Sequence, residues 1–249
     1  MSNAEKYPHA GEWFYSDNKK FEETILFVPF YKGSKKSLKR HIEFVNRLGF
    51  NAFAFHLPSG PHLTALPFSS TKKFGHSSVI ADQIEYFLNE IPGNKIIFAF
   101  SNPCAAAIEA IARRNAADIK GLICDSGPSG KFLESAYNLI THEFKTKFLP
   151  LRLAQMGLVS LLWSPDLLRT THDDLETFPR TLPILSVRGW KDKLIPPDHI
   201  DAIFEPHKHL NWRKLSLPEA GHLLGLKDFP EDYEPGIKKY LTEIATSHP

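Results

Sequence analysis

Three residues far apart in this chain, Ser101, Asp192 and His222, are of the types that together make a nucleophile at neutral pH. A serine hydroxyl is a weak nucleophile by itself. An imidazole within hydrogen-bond reach takes its proton, and a carboxylate behind the ring fixes the tautomer and stabilises the imidazolium. That chemistry is acyl transfer through a covalent serine ester. The local settings differ from one another. Ser101 stands in Ala99-Phe100-Ser101-Asn102-Pro103, between the apolar run Ile96 to Phe100 and the small-residue stretch Ala105 to Ala107. Asp192 lies in GWKDKLIPP, just past a strand-like run, and His222 follows a glycine in LPEAGHLL. The order Ser, Asp, His is the one used by a sheet-based class of such sites.

The spacing leaves rivals. A strand that turns abruptly into a helix holds its turn residue in a strained, exposed position, the geometry of a nucleophile elbow. Flanking glycines are usual there; here Ala99 and Pro103 stand in their places. Proline suits the first turn of a helix, where a missing N–H costs nothing. One register puts Ser101 at the tip. The other puts Asn102 there, which tolerates strained geometry but is no nucleophile. The Ser101 register is preferred, because it sets Ala105 and Ala107 where a helix packs closely on a sheet. Asp125 also ends a strand and is the runner-up to Asp192. Gly75-His76-Ser77-Ser78 follows no strand, so Ser77 or Ser78 is assigned as a helix cap. Gly127-Pro128-Ser129-Gly130 follows a strand but leads away from it. Cys104 falls inside the helix rather than at the turn.

These residues need elements to position them. Strand signals fall at Glu12 to Ser16, Thr24 to Val28, Asn51 to Leu57, Ile96 to Phe100, Ile119 to Cys124, Pro183 to Val187 and Trp212 to Leu217. Helical periodicity falls between them: Leu38, Ile42, Val45 and Leu48 with Gly49 as the stop; Ile80 to Ile91; Ala105 to Ile111; a short helix opened by Pro197; and a closing helix opened by Pro235. Pro58 to Lys73 reads as a loop. Alternation of this kind predicts an α/β fold: a mostly parallel, doubly wound sheet covered on both faces. Each candidate residue lies just past a strand, so all three can meet at one sheet edge. Residues 130–180 break the alternation with helical signals and no strand. They are expected to form a helical cap over the C-terminal edge of the sheet, within one domain spanning residues 1–249.

Composition narrows the class. The 249 residues are 42% hydrophobic with a net charge of +2, enough for a sizeable core and without the basic block that nucleic acid would require. Two cysteines make neither a disulfide framework nor a metal site, and the twelve histidines show no HExxH or other ligand spacing. Met1 to Tyr15 is polar, and no apolar run approaches the roughly 20 residues of a membrane span. The expectation is a soluble cytoplasmic protein with neither cofactor nor metal.

Taken together, the chain from about Thr24 to Ile244 resembles the α/β-hydrolases. GWKDKLIPP is similar to that family's G-x-x-D-x-x-x-P acid loop, LPEAGH to its histidine loop, and ILFVPFYKGS to the strand followed by His-Gly that opens these domains. Pro29 and Phe30 stand where the family has His-Gly. The resemblance implies that the backbone N–H groups of Tyr31 and Asn102 form an oxyanion hole, with Ser101 as nucleophile, His222 as base and Asp192 as its orienting acid. It implies a small-molecule substrate, an ester or thioester, and the Leu, Phe and Tyr of the expected cap point to an apolar acyl or alkyl group. The alternative is a hydrolase fold without hydrolysis, serving as a small-molecule binding or regulatory protein.

Overall fold

The computed structural model describes residues 11–57 and 67–248. The part of the expected Pro58 to Lys73 loop at residues 58–66, and the polar stretch before Gly11, lie outside the described residues. Seven strands form one sheet: β1 (Gly11–Phe14), β2 (Thr24–Val28), β3 (Asn51–Phe55), β4 (Lys95–Phe100), β5 (Ile119–Asp125), β6 (Pro183–Gly189) and β7 (Asn211–Leu217). Their spatial order is β1-β3-β2-β4-β5-β6-β7. The β1–β3 pair is antiparallel and every other pair is parallel.

The serine's strand is the middle one of the seven. All six of its residues are buried. Alternation splits them between the two faces. Ile97 and Ala99 join one apolar cluster, and Ile96, Phe98 and Phe100 join the other. A strand buried on both faces therefore reads as an unbroken apolar run. Helices α2 (His76–Glu90) and α3 (Pro103–Arg113) cover the first face. Helices α1 (Lys39–Leu48) and α9 (Pro230–Ile244) cover the second. Ala105, Ala106, Ala107 and Ala110 are all buried, so α3 seats closely behind β4.

The chain runs outward from β2 to β3 and then returns to the other side of β2 to lay down β4. The strand order thus reverses between β2 and β4, the position where open α/β sheets bind ligands. Residues 130–180 hold α4 (Phe132–His142), α5 (Leu149–Trp163) and α6 (Leu167–Glu176), and no strand. Helices α7 (Pro197–Phe204) and α8 (Gly225–Asp228) follow β6 and β7. No helix among the described residues is long and apolar enough to cross a membrane.

Two boundaries differ from expectation. The closing helix opens at Pro230, and Pro235 lies inside it. Tyr233, fully buried in the turn before Pro235, bonds Asp125 and anchors that extra stretch, which outweighs the one backbone bond the proline cannot make. Neither Ser77 nor Ser78 caps α2. The cap is Gly75, and the Ser78 hydroxyl donates to Glu109 at 2.9 Å. Gly75 has φ 129°, and a Cβ there would lie 2.5 Å from the Trp163 carbonyl oxygen, so close packing against α5 sets this helix start.

Candidate active site

Ser101 follows β4 directly and has φ 59°, a left-handed conformation that costs a non-glycine residue about 1 kcal/mol or more. The strain is held from both sides. The Ser101 N–H donates to the Asp125 carbonyl at 2.8 Å, and the Ser101 carbonyl accepts from Cys104 N–H at 3.0 Å. Pro103 is the first residue of α3, and Asn102 is its cap residue. The glycine that this turn requires lies elsewhere in the chain. A Cβ at Gly127, on the loop after β5, would lie 2.2 Å from the Ser101 carbonyl oxygen.

His222 and Asp192 are brought together by two loops knitted to each other. Trp190 N–H donates to the Leu217 carbonyl and Lys191 N–H to the Ala220 carbonyl, both at 3.0 Å. Gly189 permits this approach, since a Cβ there would meet the Ala220 oxygen at 2.3 Å. The result is a hydrogen-bonded chain. The Ser101 Oγ lies 3.0 Å from His222 Nε2, and His222 Nδ1 lies 2.7 Å from Asp192 Oδ2. The other carboxylate oxygen of Asp192 accepts from the N–H groups of Leu194 and Ile195 at 2.8 and 2.9 Å. A buried carboxylate so held presents one oxygen to the ring. His222 therefore carries its proton on Nδ1 and offers the Nε2 lone pair to the serine hydroxyl.

Asp125, the rival acid, is spent elsewhere. It accepts from the Tyr233 hydroxyl at 2.6 Å and the Ser126 hydroxyl at 2.9 Å. Ser126 Oγ in turn accepts from Leu223 N–H at 3.2 Å, so this buried group braces the backbone beside His222. Neither Ser126 nor Tyr233 was singled out in the sequence. The available signal was Asp125 itself, an acid closing a buried strand that had to find donors.

Burial pushes the Asp125 carboxyl up to about 6, against the two hydroxyl bonds that act downward. A carboxyl whose folded pKa exceeds its unfolded value adds stability when protonated. That contribution is whole below about pH 4 and is lost as pH rises through about 6. The stability advantage of wild type over Asp125→Asn should accordingly fall by on the order of 3 kcal/mol in all as pH rises from well below 4 to well above 6, read by urea unfolding.

The Asn102 side chain turns away from His222, its Oδ1 accepting from Ser129 N–H at 3.2 Å. Ser101, not Asn102, carries the positive φ at the turn, the arrangement of the preferred register. Cys104 is buried within α3, with burial and the neighbouring Cys124 raising its thiol pKa well above the ordinary value. Tyr31 and Asn102 both line a cavity of about 690 Å³ that opens on Ser101 and His222. Tyr31 lies in the turn after β2 and Ser101 directly after β4, which pair in parallel, so the two loops are neighbours. As the cap residue, Asn102 has no intrahelical partner for its N–H.

Phe132, Ala136 and Leu139 of α4 and Val159, Leu162 and Trp163 of α5 form the apolar roof, while α6 contributes nothing to it. Trp163 joins roof to floor, edge-on to Tyr31 at 5.9 Å and stacked on Phe132 at 6.1 Å. His76, passed over with the Gly75 to Ser78 stretch, also lines the cavity. Its Nε2 is buried with no partner among the described residues.

No protein-family model matches this sequence, and no curated protein matches it at a significant level. Solved structures do. An esterase of Pyrococcus furiosus superposes with a TM-score of 0.69 at 16% identity, covering 95% of this chain and 86% of that one. A monoacylglycerol lipase of Paleococcus ferrophilus matches at 0.64 and 17%, covering 94% and 98%. An α/β-hydrolase enzyme from a lagoon-sediment metagenome matches at 0.63 and 14%, covering 94% and 95%. The chain has the α/β-hydrolase fold. Ser101 stands at the C-terminal end of the central strand of that fold.

Proposed function

We propose that this protein is a serine hydrolase that cleaves a carboxylic ester, or a thioester by the same acyl-enzyme route. The observation that carries this reading is the chain from Ser101 Oγ through His222 to Asp192, seated at a strained turn under an apolar cavity. Ser101 attacks the carbonyl carbon as His222 Nε2 takes the hydroxyl proton. Asp192 holds the ring in place and stabilises the imidazolium. The tetrahedral oxyanion sits between the backbone N–H groups of Tyr31 and Asn102, the latter at the positive end of α3. Collapse passes the His222 proton to the leaving alcohol or thiol and leaves an acyl-serine. Water, activated by the same imidazole, then attacks the acyl carbon and regenerates the serine.

Helices α4 and α5 act as a cap, and their apolar lining selects the acyl group. Side-chain atoms that bury alkyl carbons gain roughly 0.8 kcal/mol per CH₂. Medium-chain p-nitrophenyl esters should therefore be turned over with kcat/KM at least about tenfold above the acetate, the gain of a few buried CH₂ groups. An ester panel tests the reading. A preference for acetyl or charged acyl groups would remove the proposed selectivity, and no turnover of any ester or thioester would remove the activity. The two buried, unpaired thiols Cys104 and Cys124 fit a reducing, cytoplasmic setting.

A further inference from the structure

Away from the cavity, four titratable side chains converge where α6 meets the loop between α7 and β7. His172 and Glu176 lie one turn apart on α6, on the same side of the helix. His207 and His209 lie on the loop. His207 Nδ1 is 2.7 Å from Glu176 Oε1, and His209 Nδ1 is 4.0 Å from Glu176 Oε2. Ligand atoms from Glu176, His207 and His209 all fall within 4.8 Å of one another.

A hydrogen bond to a carbonyl assigns the tautomer of His209. A carbonyl oxygen only accepts, so the bond from His209 Nε2 to the Leu175 carbonyl at 3.2 Å puts the proton on Nε2 and leaves a lone pair on Nδ1. His207 Nε2 lies 2.7 Å from His172 Nδ1, and one of the two must donate. With His207 as donor, its Nδ1 lone pair faces the Glu176 carboxylate. In that tautomer a metal ion would bridge the 2.7 Å contact, whereas with His172 as donor the Nδ1 proton of His207 closes it.

We propose that Glu176, His207 and His209 form a binding site for a divalent transition-metal ion, best served by Zn²⁺. The donor set is two neutral imidazoles and a carboxylate, which suits Zn²⁺ and its Irving–Williams neighbours rather than Mg²⁺ or Ca²⁺. Tetrahedral Zn²⁺ with bonds near 2.0–2.1 Å spaces its ligand atoms by roughly 3.3 Å, between the two separations to Glu176. The Glu176 side chain is 65% exposed, so it can swing to close the set, and a water completes the fourth position. The outer partners are already in place. With His207 as donor, His172 Nδ1 receives its Nε2–H and the Leu175 carbonyl receives the Nε2–H of His209, the arrangement that orients metal-bound histidines. Such an ion would clamp α6, which follows the roof helices, to the loop leading into β7. The site stands apart from Ser101 and does not depend on the proposed hydrolysis. It escaped detection along the sequence because its two halves, residues 172–176 and 207–209, are contiguous only in space.

Zn²⁺ titration of the metal-stripped protein by calorimetry, with thermal unfolding as a second readout, tests it. The expected result is one Zn²⁺ per chain and a rise of several degrees in Tm at saturating metal. Mg²⁺ and Ca²⁺ should not compete. His209→Ala and Glu176→Gln, both at accessible positions, should abolish the binding and the shift. His172→Ala should weaken it about 10–100-fold, and His142→Ala, an exposed histidine elsewhere on α4, should change nothing. Absence of stoichiometric binding would mean that a proton alone bridges His207 and Glu176, and would overturn the proposal. So would binding that survives both His209→Ala and Glu176→Gln.

Discussion

Ser101→Ala lowers ester turnover by about 10⁴-fold or more and abolishes labelling by a fluorophosphonate probe, which reacts only with an activated serine. The expected loss is at least about 5 kcal/mol of transition-state stabilisation. It is large because the variant removes the atom that forms the covalent bond, while the fold around it has no reason to change. The alanine methyl keeps the side-chain volume up to Cβ, and the Ser101 backbone bonds to Asp125 and Cys104 do not involve the hydroxyl. His222→Ala should lose most labelling as well. Asn102→Ala should keep most of it, since the amide oxygen is occupied with Ser129 and the variant keeps the backbone N–H. Probe labelling that persists in Ser101→Ala would place the nucleophile elsewhere, and an unlabelled wild-type protein would favour the non-catalytic alternative.

Asp192→Asn is the second large effect, and its cause is a tautomer rather than a lost contact. The Oδ1 position accepts two backbone N–H bonds and must remain an oxygen. In the variant the amide nitrogen therefore faces His222 Nδ1 and donates to it. The ring proton is driven to Nε2, which then offers a proton to Ser101 instead of accepting one. A fall in kcat of about 10⁴-fold is expected, with little change in Tm. Asp125→Asn is the control. Its carboxylate contacts Tyr233 and Ser126, so kcat should stay within about tenfold. Steady-state kinetics of both variants at neutral pH decide the matter. If the ranking is reversed, the acid has been misassigned.

The parts of this molecule that were legible in the sequence are those set by local pattern. ILFV of β2 and IIFAF of β4 are uninterrupted apolar runs because each is covered on both faces, and alternation with helical periodicity was sufficient for a parallel sheet. Ser101, Asp192 and His222 were recognisable because strand, turn and residue type coincide at each. The rest depended on tertiary partners. The start of the closing helix was misread at Pro235 because its anchor, the bond from Tyr233 to Asp125, spans 108 residues. The α2 cap was misread because Gly75 answers to Trp163 rather than to its own neighbours. The support that Gly127 gives Ser101, and the brace that Ser126 gives the His222 loop, likewise exist only once the strands are side by side.

The distances along the chain between the site's parts bear on when the protein becomes reactive. Ser101 and His222 are 121 residues apart, and Ser126 and Leu223 are 97 apart. The histidine comes from the strand at the far edge of the sheet, laid down last in sequence order. Synthesis delivers the serine first, and domains with such distant pairings fold slowly because loop closure precedes the contacts that reward it. A nascent chain on the ribosome thus exposes an ordinary alcohol at position 101, with no base beside it. On the proposed function, the chain remains chemically inert toward cellular esters until the loop that carries His222 has been made and docked.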